Sequence, residues 1–374
     1  MGNYCPGCNF KKEMNQMKKA FLFFIALIAL ANAIAQDHLS VDSLADFISS
    51  KTDSAFNKNK VNCIFVGVIN NEKHTYYSKG LANPDLKLLF DSATIFEIGS
   101  ITKTFTAYVL QKVLNENKIA DTASILPYLP DSVQQNKSLE KITFLSLMNH
   151  TSGLPRLPGN FKISTENKIP YDQYTSANLF EFLKTCTPAP DGKSNYSNLG
   201  MGLAGVLAER ICQKNYATLL EQDIFKPFKM IGAMEVLSTV TNQSKGFFND
   251  EKVPYWNMNV LAPAGGLKCS GKEMLTYLQY MAMPKDKEAE KIISSLLQPT
   301  LAINSVVKVC KAWHTLEVKD KPVIYWHNGG TYGFSTFAAF IKGQKKAVIV
   351  VVNKFNQNNI SDGLGIAIMK EFIK

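Results

Sequence analysis

The segments that read most clearly as strands lie at the two ends of the chain, and that placement limits how it can fold. Residues 61–69 are apolar and β-branched, Asn70-Asn71-Glu72-Lys73 is turn-forming, and residues 74–78 alternate, which predicts a hairpin. Residues 322–327, 334–341 and 346–353 are three more strand-like runs, broken at Gly329-Gly330 and at Gly343-Gln344-Lys345. Residues 364–374 read as a closing helix. The middle has helical spacing instead, over residues 102–117, 143–149, 177–185, 199–213, 216–224 and 271–283, and residues 40–58 form a helix ahead of the first strand. Strands from both ends are therefore expected in one antiparallel sheet, flanked by helices and joined by a helical subdomain. This is an α+β arrangement with a cleft between its two parts.

At 374 residues the chain exceeds the usual size of one domain, yet no linker-like tract or internal repeat divides it. Its 46% hydrophobic and 19% charged residues suit a globular enzyme. The formal charge is +10, and setting residues 1–35 aside leaves 37 basic against 30 acidic residues. Arg156 and Arg210 are the only arginines, so the excess is lysine spread along the chain, a solvated surface and not a nucleic-acid footprint.

Residues 1–35 read as a leader. Met17-Lys18-Lys19 is a short positive region, residues 20–30 are apolar, and Ala33-Ile34-Ala35 forms a small-x-small cleavage site before Gln36. Met17 is the expected translation start. The apolar run is short for a membrane helix of about 20 residues. The reading is export to the periplasm or beyond, with no membrane span after cleavage and a single domain over residues 36–374. Cys5-Pro6-Gly7-Cys8 is an isolated CxxC inside the leader and carries little weight. Cys63, Cys186, Cys212, Cys269 and Cys310 are odd in number and widely spaced, unlike a disulfide framework, and most read as buried thiols. The five histidines are scattered, which argues against a metal, and nothing marks a cofactor.

Three short stretches carry chemistry. Ser100-Ile101-Thr102-Lys103 opens a helix, and one turn brings Lys103 to the side of Ser100. A serine hydroxyl needs a base, and a desolvated lysine of lowered pKa can supply it. Tyr196-Ser197-Asn198 precedes a helix and can act as a proton shuttle and amide anchor, provided that Lys103 lowers the phenol pKa. A packed tyrosine and a capping asparagine are the structural alternative. His327-Asn328-Gly329-Gly330 ends a strand, where glycine lets a substrate backbone lie along the edge. The Ser100 and Gly330 amides are the expected oxyanion hole.

Together these stretches resemble the serine β-lactamase and penicillin-binding protein family, most nearly class C β-lactamases, D-alanyl-D-alanine peptidases, D-aminopeptidases and related esterases. The resemblance runs from about Leu39 to the end and includes Leu147 to Pro155 and Pro263-Ala264-Gly265-Gly266-Leu267, which look like cleft-lining loops. It implies that Ser100 is the acylated nucleophile, Lys103 its proton acceptor and Tyr196 the proton relay. It implies further that Asn198, His327 and Gly329 bind substrate. Tyr-Ser-Asn stands where Ser-Asp-Asn is familiar, and His327 where many members carry lysine. A mostly neutral imidazole attracts a β-lactam carboxylate less than an ammonium does. The expected activity is cleavage of an amide or ester in a small molecule or short peptide, foremost a D-amino-acid or peptidoglycan-type peptide. Carboxylesterase and β-lactamase activities remain open, as does a non-catalytic cell-wall peptide binder. Arg156 is read as a surface or structural residue.

Overall fold

A computed structural model describes residues 41–162, 168–230 and 241–374. The expected leader, its expected cleavage site and the CxxC lie outside the described residues. The folded body, Asp46–Ile373, carries every element that matters to the site.

In chain order its elements include α1 (Val41–Lys58), β1 (Cys63–Asn70), β2 (Lys73–Asn83), β3 (Leu88–Leu89), β4 (Ile95–Glu97) and α2 (Thr102–Glu116). Next come α3 (Phe144–Met148), α4 (Ser176–Thr185), α5 (Asn198–Cys212), β5 (Gly246–Phe248), β6 (Glu251–Val253), β7 (Lys268–Ser270), α6 (Gly271–Ala282) and α7 (Lys287–Leu297). The last part holds β8 (Leu301–Ala302), β9 (Lys308–Val309), β10 (His314–Leu316), β11 (Ile324–Gly330), β12 (Ser335–Ile341), β13 (Lys346–Val352) and α8 (Asn358–Phe372). Among the described residues the main sheet has nine strands in the order β3-β2-β1-β13-β12-β11-β10-β9-β8, all paired antiparallel.

The expected union of the two chain ends is therefore present. β1 pairs with β13 in the register Phe65↔Val351, Gly67↔Ile349 and Ile69↔Ala347. These strands read as unbroken apolar runs because both their faces are covered. Phe65, Ile349 and Val351 point into the main core with Leu275 of α6, and on the opposite face α8 seats Gly365 on Phe337 of β12. β11 does not break at its glycines. Gly329 and Gly330 pair with Thr336 and Ser335, so the strand carries the third motif to its very end.

Helix α2 is buried from Thr102 through Gln111, on all sides. Its threonines make that tolerable, because each finds a partner. Thr102 Oγ1 accepts from the Leu267 N–H at 3.1 Å, Thr104 Oγ1 donates to Ile101 O at 2.8 Å, and Thr106 Oγ1 donates to Pro263 O at 2.6 Å. The helix is thus pinned to the segment that holds Pro263 to Leu267. α7 was not expected, although its signal is present: Asp286 caps it, and Ala289, Ile292, Ile293, Leu296 and Leu297 form its buried stripe.

Candidate active site

Ser100 is delivered by a short strand. β4 pairs with β7 through Phe96↔Cys269 and Glu97↔Lys268, and the chain then turns through Gly99, at φ +54°, into the 3-10 turn Gly99–Ile101 that leads into α2. Only glycine fits there. A Cβ on Gly99 would lie 2.7 Å from the Gly330 nitrogen in a left-handed conformation. Gly329 is equally constrained, since its Cβ would meet Ile98 O at 2.1 Å and Thr336 Oγ1 at 2.4 Å. The Gly329 side expected to face substrate is thus filled by the first motif itself. Gly330 is the exposed glycine, and the pairing of β10 with β11 stops at Trp326, short of it.

Lys103 is fully buried. Its Nζ lies 3.0 Å from Ser100 Oγ, 2.9 Å from Asn198 Oδ1 and 2.5 Å from Ala264 O. All three neighbours are uncharged. Burial, and then the charge of Arg156, hold its pKa well below the usual lysine range. A neutral amine suits these neighbours: it can donate to Asn198 Oδ1 and Ala264 O and turn its lone pair to the Ser100 hydroxyl. The sequence places Asn198 on the substrate; here its Oδ1 is engaged by Lys103.

Tyr196 is half-buried beside Ser100. Burial pushes its phenol up to about 12, while a hydrogen bond with Ser100 and the charge of Arg156 act in the other direction. The expected lowering of this pKa by Lys103 is not what the site does, and the phenol keeps its proton near neutrality. Arg156, read as a surface or structural residue, is exposed and lies beside Tyr196. Its guanidinium carbon lies 5.1 Å from the Tyr196 ring centroid, and its carbonyl accepts the Asn198 N–H at 3.0 Å. The loop after α3 holds this corner: the Asn195 N–H donates to His150 O at 2.8 Å, and Ser197 Oγ donates to Pro155 O at 2.7 Å. Ser197 Oγ also accepts from the Gly200 N–H at 2.9 Å, capping α5.

Three histidines that the sequence scatters are gathered here. His314 and His327 have ring centroids 5.6 Å apart, and His150 lies 4.6 Å from the Tyr196 ring. His327 Nδ1 donates to Asn328 O at 2.6 Å, while its Nε2, like His150 Nε2 and His314 Nδ1, is buried without a partner. Burial is the main reason that all three pKa values fall, His314 to about 4 and the other two well below the usual imidazole value. His327 is accordingly neutral at pH 7 and presents no cation at the third motif. Asn328, on the other face of β11, donates from Nδ2 to Asp362 Oδ2 of α8 at 2.7 Å. Among the described residues no group of three or more His, Cys, Asp or Glu is arranged to hold a metal ion.

Comparison with known proteins places this arrangement. The Beta-lactamase family profile matches residues 44–369. The beta-lactamase of Providencia stuartii is 23% identical, over 91% of this chain and 94% of the relative. The D-alanyl-D-alanine-carboxypeptidase/endopeptidase AmpH of Escherichia coli (strain K12) is 24% identical, over 93% of this chain and 95% of the relative. The class C beta lactamase of Rhodobacter sphaeroides shares the fold, with a TM-score of 0.76 at 19% identity over 87% of this chain and 99% of that one. The match runs almost from the first described helix to the last and takes in all three motifs, so this chain belongs to the beta-lactamase family and is a serine hydrolase.

Proposed function

We propose that the protein cleaves an amide or ester of a small molecule or short peptide through an acyl-enzyme on Ser100. The observation that carries this is the environment of Lys103, a buried amine within 3.0 Å of the Ser100 oxygen and without a carboxylate among its hydrogen-bond partners. Such an amine is a base held where the proton must go. Ser100 Oγ attacks the carbonyl, its proton passes to Lys103, and the developing oxyanion lies between the Ser100 and Gly330 N–H groups. Tyr196, neutral at working pH, gives its proton to the leaving group and regains one from Lys103. Water then releases the acyl group, its proton returning through Lys103 to restore Ser100.

A D-amino-acid or peptidoglycan-type peptide is the preferred substrate. The Arg156 guanidinium over Tyr196 offers a contact for a peptide carboxylate, while neutral His327 withdraws the cation that would grip a β-lactam at the third motif. AmpH, one of the relatives, is named for carboxypeptidase and endopeptidase action. The leader expected within residues 1–35 supports action outside the cytoplasm, and among the described residues no helix is long and apolar enough to cross a membrane.

The test is intact-protein mass over time after mixing with benzylpenicillin, with Ser100→Ala as control. A Ser100-dependent adduct that is lost slowly supports a penicillin-acylated peptidase. Rapid turnover makes the protein a β-lactamase and overturns the substrate preference. If neither benzylpenicillin nor D-alanyl peptides and esters acylate Ser100, the non-catalytic reading replaces this one.

A further inference from the structure

Beneath the two expected oxyanion donors lies a buried carboxylate that the steps above do not use. Glu97 is 2% exposed and ends β4, three residues before Ser100. Its Oε2 accepts from Thr331 Oγ1 at 2.6 Å, and its Oε1 accepts from the Trp256 N–H at 2.5 Å. Thr331 is 1% exposed and directly follows Gly330. Its Oγ1 also accepts from the Gly333 N–H at 3.2 Å, and its own N–H donates to Phe334 O at 2.9 Å, so the turn leaving β11 is pinned at several points. One carboxylate thus ties the backbone that leads to Ser100 to the backbone that carries Gly330. Lys268, paired with Glu97 across the β4–β7 ladder, donates from Nζ to Trp256 O at 2.7 Å and closes the network.

A buried carboxylate is costly, and an apolar pair of similar volume would often be no less stable. The network makes sense as geometry. We infer that Glu97 and Thr331 are positioning residues that fix the separation between the Ser100 and Gly330 N–H groups. Their bond crosses the joint at which Gly99 approaches the Gly330 nitrogen so closely that no side chain fits between. Without it the Gly330–Thr331 turn is released on one side, and an oxyanion donor that is free to drift stabilises a tetrahedral species less. The inference rests on the proposed acyl-transfer role of Ser100.

The experiment uses a fluorophosphonate ester, because its adduct is tetrahedral and places a phosphoryl oxygen in the oxyanion hole. The Ser100 Oγ–P bond forms, the P–F bond breaks, fluoride leaves, and the serine proton passes to Lys103. The saturating rate (kinact), the half-saturation concentration and the melting temperature are measured for wild type, Ser100→Ala, Thr331→Val, Thr331→Ser and Glu97→Gln. Complete loss of an oxyanion donor costs about 10²–10³ in rate, so a loosened one is expected to cost roughly 10-fold or more. Thr331→Val should therefore lower kinact by that factor at unchanged half-saturation. Thr331→Ser and Glu97→Gln, which can keep the pairing (the hydroxyl reversing its role in the second), should stay within roughly threefold of wild type. A folded Thr331→Val enzyme reacting at the wild-type rate overturns the inference, as does a loss that only follows its unfolded fraction. If the wild type itself does not react at Ser100, the acyl-transfer reading fails and takes the inference with it, and that outcome is visible before any variant is compared.

Discussion

Lys103 Nζ stands over the face of the Tyr196 ring, 4.7 Å from its centroid, while the same nitrogen reaches Ser100 Oγ at 3.0 Å. The amine is thus aimed at the serine, with the tyrosine presenting its π-face beneath it. In the proposed mechanism this arrangement divides the proton work, with Lys103 as the acceptor and Tyr196 as a protonated donor.

Acylation should therefore fall as pH drops through the Lys103 pKa, because only the neutral amine can take the serine proton. Burial lowers that pKa first and the Arg156 charge second, so Arg156→Gln should raise it and move the acidic limb to higher pH. The rate of Ser100 labelling against pH reads this directly. A limb that stays in place or moves downward would show that the Arg156 charge does not reach Lys103. Lys103→Ala should slow acylation by about 10²–10⁴-fold at any pH on the plateau.

Tyr196→Phe removes the proton donor but leaves the Ser100–Lys103 pair in place. Turnover should fall by about 10²–10⁴-fold for amides, and much less for activated esters whose leaving groups need no proton. Steady-state rates on a matched amide and p-nitrophenyl ester provide the comparison. Equal losses on both would assign Tyr196 to orientation alone.

Gly329→Ala should be among the most damaging single-methyl changes in the protein. The added Cβ lies 2.1 Å from Ile98 O, so the first and third motifs must separate. Thermal denaturation and Ser100 labelling should both deteriorate, with a stability loss of about 1–3 kcal/mol. A variant with wild-type melting and labelling would mean that this contact relaxes freely.

The histidine cluster predicts sensitivity to acid. The folded pKa of His314 is lowered to about 4, whereas in the unfolded chain it titrates near ~6.5. Between those values the unfolded chain holds more protons, so the stabilisation is complete above the unfolded pKa and is lost as pH falls through the window. The slope is at most about 1.4 kcal/mol per pH unit for this residue. His150 and His327, shifted in the same direction, add to it. Melting temperature measured from pH 7 to 4 should decline less steeply in His314→Phe, and an unchanged slope would remove His314 from this account.

Much of this was legible in the residues. The hairpin at residues 61–78 and the three strands near the end announce themselves because β-branched, apolar runs between turn residues have few other uses. Ser100 and Lys103 could be read together because they sit one helical turn apart, and Tyr196 because it lies in a short motif with Asn198. The partners of Glu97 and the histidine cluster could not. Nothing about Glu97 in β4 says that Thr331, more than two hundred residues later, will donate to it, and His314 meets His327 only once β10 pairs with β11. The phenol of Tyr196 was misjudged for a related reason. Its pKa depends on how much of the ring is enclosed, and a motif does not record enclosure.

The pairing of β1 with β13 has a consequence for the timing of the protein's life. Ser100 and Lys103 precede Gly330 by more than two hundred residues, and β11 is held in register through β12 by β13. A chain still growing past Ser100 therefore has that residue before it has the edge that β11 supplies. Such high-separation contacts also slow folding. The edge beside Ser100 is thus supplied by strands made long after it, and the pairing of β13 with β1 holds that edge to the early part of the chain.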